Sequence, residues 1–370
     1  MIRIDEIYSN TFWSFIKHNV PNTRMFFCDP PGNTSPNSLI NFGGNEPDML
    51  NYIFFHDQEP IHLDIYANLF DEVVKRNHDN DISYVDVGEL KKAIVTSEYD
   101  SEYVQALCKK YSWHPYYYFF HGWAALDWYR GYDKSFLITK PDARKPTKTF
   151  IAPNRIIGGE RKHRLEMLYW IFKLGLTNNH VSCPITCPAE NVSIYELSKL
   201  LPHPNAEAVF RNAQLPMQYA GESNHPMHSC WLSLFNESAD SLLYLVTETV
   251  ASGRRQHLTE KIFKPIALGM PFVIVGTKNS LRYLRSYGFK TFEGVWDESY
   301  DDADDSVRIQ RIASLLRSLD ELPVSAKQDL FKQCIPIIEH NWNHFYNGGF
   351  EKILWDELQL MLTQIKIDFK

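Results

Sequence analysis

Short, continuous apolar runs that stop abruptly at polar residues constrain the fold of this chain more than any other feature. In the first half these runs lie at residues 25–28, 52–55, 93–95 and 116–120. Uninterrupted apolar runs are typical of strands buried on both faces, as in parallel sheets whose connections are helices. The segments between the runs can hold such helices, so the first half is predicted to be an α/β domain.

The second half alternates strand and helix patterns more clearly. Strands are predicted at residues 149–152, 241–247, 272–275 and 289–292, and helices at 164–174, 279–287, 306–319, 325–341 and 349–367. This alternation predicts a second α/β domain with a parallel sheet. Residues 140–148 contain two prolines and four basic residues without apolar periodicity, which is typical of a linker between domains.

Charge and cysteine content exclude several classes of protein. The 370 residues include 38 Lys and Arg against 45 Asp and Glu, a net charge of -7, which disfavours a general basic surface for nucleic acid. Six scattered cysteines do not fit a secreted disulfide scaffold. No run approaches the ~20 apolar residues of a membrane span, and acids interrupt the first residues where a signal peptide is apolar. We therefore expect a cytoplasmic protein, bacterial or viral and acting in the host cytosol, with no nucleic-acid partner.

Residues 241–271 carry the strongest indication of chemistry. A predicted strand ends at Glu248, and a polar loop follows it. Thr259 then stands at the position of a helix N-cap, with Glu260 and Lys261 in the first helical turn.

The start of this helix suits a diphosphate. A helix N-terminus presents N–H groups and the positive end of the helix dipole, and Lys261 adds a positive charge. Glu260 can accept hydrogen bonds from ribose or sugar hydroxyls. The alternative is a capped helix with a solvated Glu–Lys pair, because acids are common in first turns. Gly269 is expected to end the helix, and Pro265 predicts a separate or kinked first turn.

The sequence Thr-Glu-Lys-Ile at 259–262, followed by Ala-Leu-Gly-Met-Pro at 267–271 and by Val273, resembles the donor-binding signature of the α1,3/α1,4-fucosyltransferase family. The resemblance implies the GT-B architecture, in which two Rossmann-like domains with parallel sheets face a cleft, and it implies GDP-fucose as the donor. The family's preceding strand ends in Phe-Glu-Asn, whereas this chain has Thr249 where the family has Asn.

The resemblance covers roughly residues 148–300 and extends to the first strand of that region. There the family has a Ser-Asn turn and then an Arg that opens a helix. The resemblance implies that the matching arginines and Lys261 stabilise the leaving diphosphate in place of a metal, and that two glutamates hold sugar or ribose hydroxyls. The predicted donor-binding residues are Asn154, Arg155, Arg164, Glu248, Thr259, Glu260 and Lys261.

A carboxylate is also expected on the acceptor side. An inverting transferase needs a base that takes the proton of the acceptor hydroxyl as its oxygen attacks the anomeric carbon. Asp57 and Glu59 follow the predicted strand at 52–55 and are the best-placed candidates. The resemblance implies an acceptor-side Glu as well, since the family's Glu-Ser-Pro element is similar to Gln-Glu-Pro at 58–60. The alternative is a loop glutamate fixed by Pro60.

Metal sites are not predicted. One group of cysteines and histidines has the residue types of a zinc site, but its spacing matches no standard zinc pattern, so reduced loop cysteines are the default interpretation. Whether that group binds a metal stays open. The acidic run at 297–305 is interpreted as a solvated loop before a helix. The members of the Cys/His group are Cys183, Cys187, His225, His228 and Cys230.

Together these features predict an acceptor-side Rossmann-like domain at 1–146, a nucleotide-sugar donor domain at 147–345, and a C-terminal helix at 346–370 that packs back on the first domain. The predicted function is an inverting, metal-independent glycosyltransferase of glycan biosynthesis. It would move a sugar from a nucleotide-diphosphate donor, with a GDP-fucose-like donor favoured, to a glycan or other hydroxyl acceptor. The alternatives are a non-catalytic nucleotide-sugar or glycan-binding module on the same fold, and a nucleotide-sugar epimerase. The oligomeric state is not determined by the sequence.

Overall fold

A five-stranded sheet organises the first unit of the chain, and a four-stranded parallel sheet organises the second. The first unit comprises residues 1–127 and 351–370, and the second comprises residues 128–350. The predicted α/β class, with two Rossmann-like domains built on parallel sheets, is confirmed. The computed structural model describes residues 3–20, 22–28, 39–41, 51–56, 63–80, 91–130, 144–217 and 232–370.

In the first unit, strand order is β2-β1-β3-β4-β5, with β2 antiparallel at the edge and the other strands parallel. Phe55 of β3 pairs with Phe27 on one side and with Val95 on the other. The elements are α1 (Ile4–Glu6), a π-helical segment (Ile7–Trp13), α2 (Ser14–Asn19), β1 (Thr23–Cys28), β2 (Leu39–Asn41), β3 (Asn51–His56), α3 (Leu63–Asn80), β4 (Lys92–Thr96), α4 (Glu102–Tyr111), β5 (His114–Tyr117) and α5 (Phe120–Arg130).

Aromatic side chains fill the core of the first unit. Phe54 of β3 stacks on Phe70 of α3, with ring centroids 4.8 Å apart, and Trp113 meets Phe70 edge to face at 5.0 Å. The apolar run at 116–120 does not continue as a strand to its end. Its first two residues lie in β5, the next two form the connection, and Phe120 begins α5, because a buried connection and helix start need apolar residues as much as a buried strand does.

In the second unit, strand order is β11-β10-β6-β7, with all neighbours parallel. Short 3-10 turns lie at Gly159–Arg161 and Leu176–Asn178. The elements are β6 (Lys148–Ala152), α6 (Lys162–Lys173), β7 (His180–Val181), β8 (Thr186–Cys187), β9 (Val192–Ser193), α7 (Ile194–Ser198), α8 (Ala206–Asn212), α9 (Phe235–Asp240), β10 (Ser241–Thr247), α10 (Glu260–Leu268), β11 (Phe272–Val275), α11 (Ser280–Ser286), α12 (Asp305–Asp320) and α13 (Val324–Tyr346).

The direction in which this sheet is built reverses between β6 and β10. From β6 the chain adds β7 on one side, and it then returns to add β10 and β11 on the other side. In open parallel sheets, ligands bind beyond the carboxyl ends of the strands at such a topological switch point. The described parallel strands of the first unit follow one another in chain order without a reversal.

Residues 289–292 do not form the predicted strand. The N–H of Lys290 donates to Oδ1 of Asn341 at 2.7 Å, and Nδ2 of Asn341 donates to the Lys290 carbonyl at 2.8 Å. An asparagine side chain on α13 therefore satisfies the backbone groups that a neighbouring strand would bind. The apolar pattern reflects packing instead, since Phe292 stacks on Trp296 with ring centroids 5.0 Å apart.

Helix α10 begins and ends as its sequence indicates. The Thr259 hydroxyl accepts from the Lys261 N–H at 3.4 Å, and Gly269 ends the helix with φ of 64° in the left-handed region. The expected separate first turn is not observed, since Pro265 lies within one continuous helix. At that position a proline removes a single intrahelical hydrogen bond.

The last helix, α14 (Gly349–Asp368), belongs to the first unit from Glu351 onward and packs within it. Tyr116 donates from its hydroxyl to Asp368 at 2.8 Å, and Trp123 meets Trp355 edge to face at 4.8 Å. Of the predicted linker, residues 140–143 lie outside the described part of the chain. Across the described ranges, no helix combines the length and the apolar character that crossing a membrane requires.

Candidate functional site

Side chains join β6 to β10 at the switch point. The Thr247 hydroxyl donates to Oδ1 of Asn154 at 3.1 Å. Asn154 is buried, its Nδ2 donates to the Ala152 carbonyl at 3.1 Å, and its main-chain N–H donates to the Ser182 hydroxyl at 2.8 Å. Because Ser182 directly follows β7, Asn154 ties together the carboxyl ends of three neighbouring strands.

The main-chain carbonyl of Glu248 accepts hydrogen bonds from two side chains of α6. His163 Nε2 donates to it at 2.9 Å, and Arg164 donates to it from Nε at 3.2 Å and from Nη2 at 2.9 Å. A third Arg164 hydrogen bond, from Nη1, reaches the Ile156 carbonyl at 3.1 Å. Arg164 is buried, and its hydrogen bonds to main-chain carbonyls connect the start of α6 to the end of β10.

His163 is uncharged at neutral pH. Burial, assisted by the neighbouring charge of Arg164, lowers the pKa of His163 to about 3. Its neutral ring donates from Nε2 to the carbonyl of Glu248. The sequence analysis missed this residue, because a histidine in a first helical turn has no pattern that distinguishes it from an ordinary surface residue.

The carboxylate of Glu248 fixes the start of α10. Its Oε2 accepts from the main-chain N–H of Thr259 at 3.2 Å and also from the Thr259 hydroxyl. Glu248 is fully buried, and this burial raises the pKa of its carboxyl even though Lys261 and the Thr259 hydrogen bonds act in the opposite direction. Among the described residues, Oε1 of Glu248 has no hydrogen-bond partner.

Lys261 lies at the edge of this network. Its ammonium donates to Thr249 Oγ1 and Thr259 Oγ1 at 3.2 Å each, and to Glu260 Oε1 at 2.8 Å. Its side chain is 29% exposed and that of Glu260 is 7% exposed. An ammonium has three N–H donors, and each has an acceptor here. A phosphate can therefore bind Lys261 only by replacing one of these oxygens.

Arg144 holds the opposite end of α10. It donates from Nη1 to the Gly269 carbonyl at 3.0 Å and from Nη2 to the Leu268 carbonyl at 2.6 Å. Burial lowers the pKa of Arg144 to about 10, so the guanidinium stays charged at neutral pH. A cation at a helix C-terminus is favourable, and α10 is consequently anchored at both ends.

The structure brings most of the predicted donor-site residues into one network and separates them by accessibility. Five are buried and hydrogen-bonded to the protein itself, which suits residues that position others. Glu260 and Lys261 lie at the network's edge, and the half-buried Arg155 follows Asn154 in the chain. The five buried residues are Asn154, Arg164, Glu248, Thr259 and Glu260.

The predicted acceptor-side carboxylates Asp57 and Glu59 lie outside the described residues. Within the described part of the first unit, buried polar side chains do occur at the carboxyl ends of adjacent strands. His56 ends β3, and Glu98 follows β4, where its carboxylate accepts a hydrogen bond from the Ser101 hydroxyl.

Of the Cys/His group, His225, His228 and Cys230 also lie outside the described residues. Cys183 and Cys187 are buried free thiols, and burial raises the pKa of Cys183 well above its ordinary value. In the ranges that the structure describes, no three His, Cys, Asp or Glu residues are grouped so that they could hold a metal.

The acidic run at 297–305 is only partly solvated, so this prediction is wrong for two of its members. Glu298 is buried and accepts from the Phe292 N–H at 2.7 Å. Asp301 is buried and accepts from the Leu281 N–H at 3.0 Å, at the start of α11. Both carboxylates satisfy main-chain donors that would otherwise be buried without a partner.

Comparison with known proteins gives a distant structural likeness. No protein-family model matches this sequence, and no curated protein matches it either. The chain is similar in structure to the DNA-modifying enzyme β-glucosyltransferase, solved in the presence and absence of its substrate uridine diphosphoglucose. That likeness covers 84% of this chain and 74% of the other at 9% sequence identity, with a TM-score of 0.38. At this level it does not bear on the activity of the chain, and it gives no support to the fucosyltransferase family.

Proposed function

We propose that this protein is a GT-B glycosyltransferase that moves a sugar from a nucleotide-diphosphate donor to a glycan or other hydroxyl acceptor. One observation carries the proposal. The topological switch point of the second unit coincides with the start of α10, where Glu248, Thr259 and Lys261 are hydrogen-bonded together. A switch point beside a helix N-terminus with a lysine is a suitable place for a diphosphate.

In this proposal, contact with the donor is made at the edge of the network. Lys261 and Arg155 bind the diphosphate and stabilise the charge that develops on it as it leaves. Glu260 accepts hydrogen bonds from ribose or sugar hydroxyls. Asn154, Arg164, Glu248 and Thr259 position these groups, since each is buried and hydrogen-bonded to other parts of the protein.

On the acceptor side, Glu59 or Asp57 acts as the general base. The carboxylate takes the proton of the acceptor hydroxyl while that oxygen forms a bond to the anomeric carbon, and the bond from that carbon to the diphosphate breaks. The configuration at the anomeric carbon is inverted. A GDP-fucose-like donor is favoured by the Thr-Glu-Lys sequence at 259–261, and no metal is required.

The experiment is a binding screen followed by a turnover assay. Thermal unfolding is measured with GDP, UDP, ADP and CMP, and with the corresponding sugar nucleotides, in the presence of a chelator and then with added Mn²⁺ or Mg²⁺. A nucleoside diphosphate should raise the unfolding temperature in chelator, since ligands that bind only the folded state stabilise it. Stabilisation that appears only with the metal would contradict metal independence.

A turnover assay distinguishes the proposed transferase from an epimerase and from a binding module. A transferase releases the nucleoside diphosphate faster when an acceptor is added, and the sugar then appears on that acceptor. An epimerase converts the sugar nucleotide without releasing the diphosphate. A binding module is stabilised by the sugar nucleotide and leaves it unchanged.

A further inference from the structure

Two tyrosines of the first unit differ in exposure from the other aromatic residues of the described ranges. Tyr99 is 48% exposed and Tyr103 is 45% exposed, whereas every other Phe, Tyr or Trp side chain whose burial the structure describes is buried or half-buried. Tyr99 lies in the connection from β4 to α4, and Tyr103 lies in the first turn of α4. Isolated exposed apolar side chains are common. These two, however, follow the carboxyl end of a strand, where ligands of open α/β sheets bind.

The ring of Tyr99 is supported by a second tyrosine. Tyr117, the last residue of β5, meets Tyr99 edge to face, with ring centroids 4.9 Å apart. Because Thr96 at the end of β4 pairs with Tyr117 in the sheet, both tyrosines lie at the carboxyl ends of neighbouring strands. A tyrosine has only two side-chain torsions to fix, so it provides contact area at a low entropic cost.

Hydrogen bonds also hold the turn that carries Tyr99. The N–H of Glu98 donates to Thr96 Oγ1 at 3.2 Å, and the Ser101 hydroxyl donates to the Glu98 carboxylate. The same hydroxyl accepts from the Val104 N–H at 3.3 Å and thereby caps α4. A ring on a turn that is already fixed loses little conformational freedom when a ligand binds.

The charges beside these rings indicate which ligand they suit. Asp100 and Glu102 are both exposed, and they carry negative charge that disfavours phosphates and other anions. Carboxylates accept hydrogen bonds from hydroxyls, and the negative face of an aromatic ring attracts weakly positive C–H groups. A neutral sugar ring offers both, since it has C–H groups on its face and hydroxyls at its edge.

We propose that Tyr99 and Tyr103 bind a neutral glycan acceptor, with Tyr99 stacking on one of its sugar rings. Asp100 and Glu102 accept hydrogen bonds from the hydroxyls of that glycan and disfavour acidic sugars. Tyr117 is a positioning residue that supports the Tyr99 ring. This inference rests on the proposed function, because it identifies the acceptor of the transferase as a neutral glycan and assigns its binding to the first unit.

The test begins with an array of neutral oligosaccharides, with oligogalacturonates as acidic comparators and a lysine-rich peptide as a cationic one. The affinity for a glycan that binds is then measured by titration. Tyr99→Ala should weaken it about three- to tenfold, the range for one aromatic stacking contact, and Tyr103→Ala should weaken it as well. Tyr99→Phe keeps the ring and should bind nearly as well as the wild type. Leu360→Ala is the matched control, because Leu360 is a 72% exposed apolar residue of the same unit.

Two further measurements separate this site from the donor site and test the carboxylates. Tyr99→Ala should leave the affinity for the nucleoside diphosphate unchanged and raise the KM for the acceptor alone. The double variant Asp100→Asn with Glu102→Gln should reduce the preference for neutral glycans over oligogalacturonates, because it removes both negative charges. An unchanged preference would overturn the role of these carboxylates.

Each remaining outcome decides one statement. If Tyr99→Ala binds a neutral glycan as well as the wild type does, or if no neutral glycan binds, the inference is overturned while the proposed function stands. Binding of the lysine-rich peptide in place of glycans, or sugar transfer to a hydroxyl compound that is not a glycan, also overturns it. Full affinity in Tyr103→Ala overturns the role of Tyr103. If Tyr99→Ala weakens a glycan but the wild type binds no sugar nucleotide, the glycan site is supported and the transferase of the proposed function fails.

Discussion

Thr259 donates both its main-chain N–H and its hydroxyl to one carboxylate oxygen of Glu248, 11 residues earlier in the chain. The same hydroxyl accepts from the Lys261 N–H and thereby caps α10. The carboxylate of the residue directly after β10 thus holds the start of α10. Because Glu248 is fully buried, its contribution to the site is to hold that helix start in place.

Removing this carboxylate should destabilise the second unit. Glu248→Ala leaves the buried N–H and hydroxyl of Thr259 without their acceptor, which should lower the free energy of unfolding by about 1–3 kcal/mol. Glu248→Gln keeps an acceptor oxygen and should cost less. Denaturant unfolding of both variants, beside the exposed control Glu321→Gln, measures the difference. Equal losses for Ala and Gln would show that the charge of Glu248, and not its hydrogen bonds, matters.

The stability of the protein should depend on pH through His163. In the unfolded chain this histidine binds a proton below a pKa of 6.5, whereas burial lowers the pKa of His163 in the folded protein to about 3. Between these values the unfolded state binds more protons, so stability that is complete above pH 6.5 is lost as the pH falls toward 3.

The expected slope for this one group is at most about 1.4 kcal/mol per pH unit. Unfolding in denaturant from about pH 7.5 to about pH 4.5 measures it. His163→Gln should flatten the profile in that range, while the exposed control His18→Gln should leave it unchanged. A wild-type profile with the same slope as His163→Gln would contradict a buried neutral histidine.

Caps and strand patterns could be read from the sequence because they are local. Thr259 and Gly269 lie next to the helix that they start and end, so the bounds of α10 followed from residue types alone. The contact of Arg164 with the Glu248 carbonyl spans 84 residues and depends on the strand order, which no local pattern contains.

The errors have the same origin. The apolar pattern at 289–292 indicated a strand, but the side chain of Asn341, 51 residues further along, binds the backbone there. A run of acids is usually exposed and indicated a solvated loop, yet Asp301 binds the Leu281 N–H, 20 residues earlier, and Glu298 binds the Phe292 N–H, six residues earlier. Side chains that satisfy distant backbone groups cannot be recognised from composition.

Lys261→Ala should weaken donor binding by about 1.5–3 kcal/mol, the range for a hydrogen bond to a charged group. It also removes the cation beside the largely buried Glu260, so unfolding must be measured together with calorimetric titration of the nucleoside diphosphate. Lys332→Ala, on the surface of α13, is the matched control. A loss of stability without any loss of affinity would mean that Lys261 only closes the loop at 249–259.

Arg144 should contribute to stability through the C-terminus of α10. Arg144→Met keeps much of the apolar stem but leaves the Leu268 and Gly269 carbonyls without their charged donor. The free energy of unfolding should fall by about 1–3 kcal/mol. Lys145→Met, at the next position but exposed, should have little effect. Equal effects of the two variants would show that α10 does not depend on Arg144.

The last prediction concerns the general base, and Glu59 is the leading candidate. It follows β3 by three residues and precedes Pro60, which restricts the backbone of the residue before it. Glu59→Gln keeps the shape of the side chain and removes its basicity, so turnover should fall about 10²–10⁴-fold while donor affinity stays nearly constant. Glu98→Gln is the matched variant, because Glu98 is a carboxylate that follows the neighbouring strand β4. If turnover is lost in Glu98→Gln alone, Glu98 is the general base instead. If Glu59→Gln loses donor binding and turnover equally, Glu59 has a structural role.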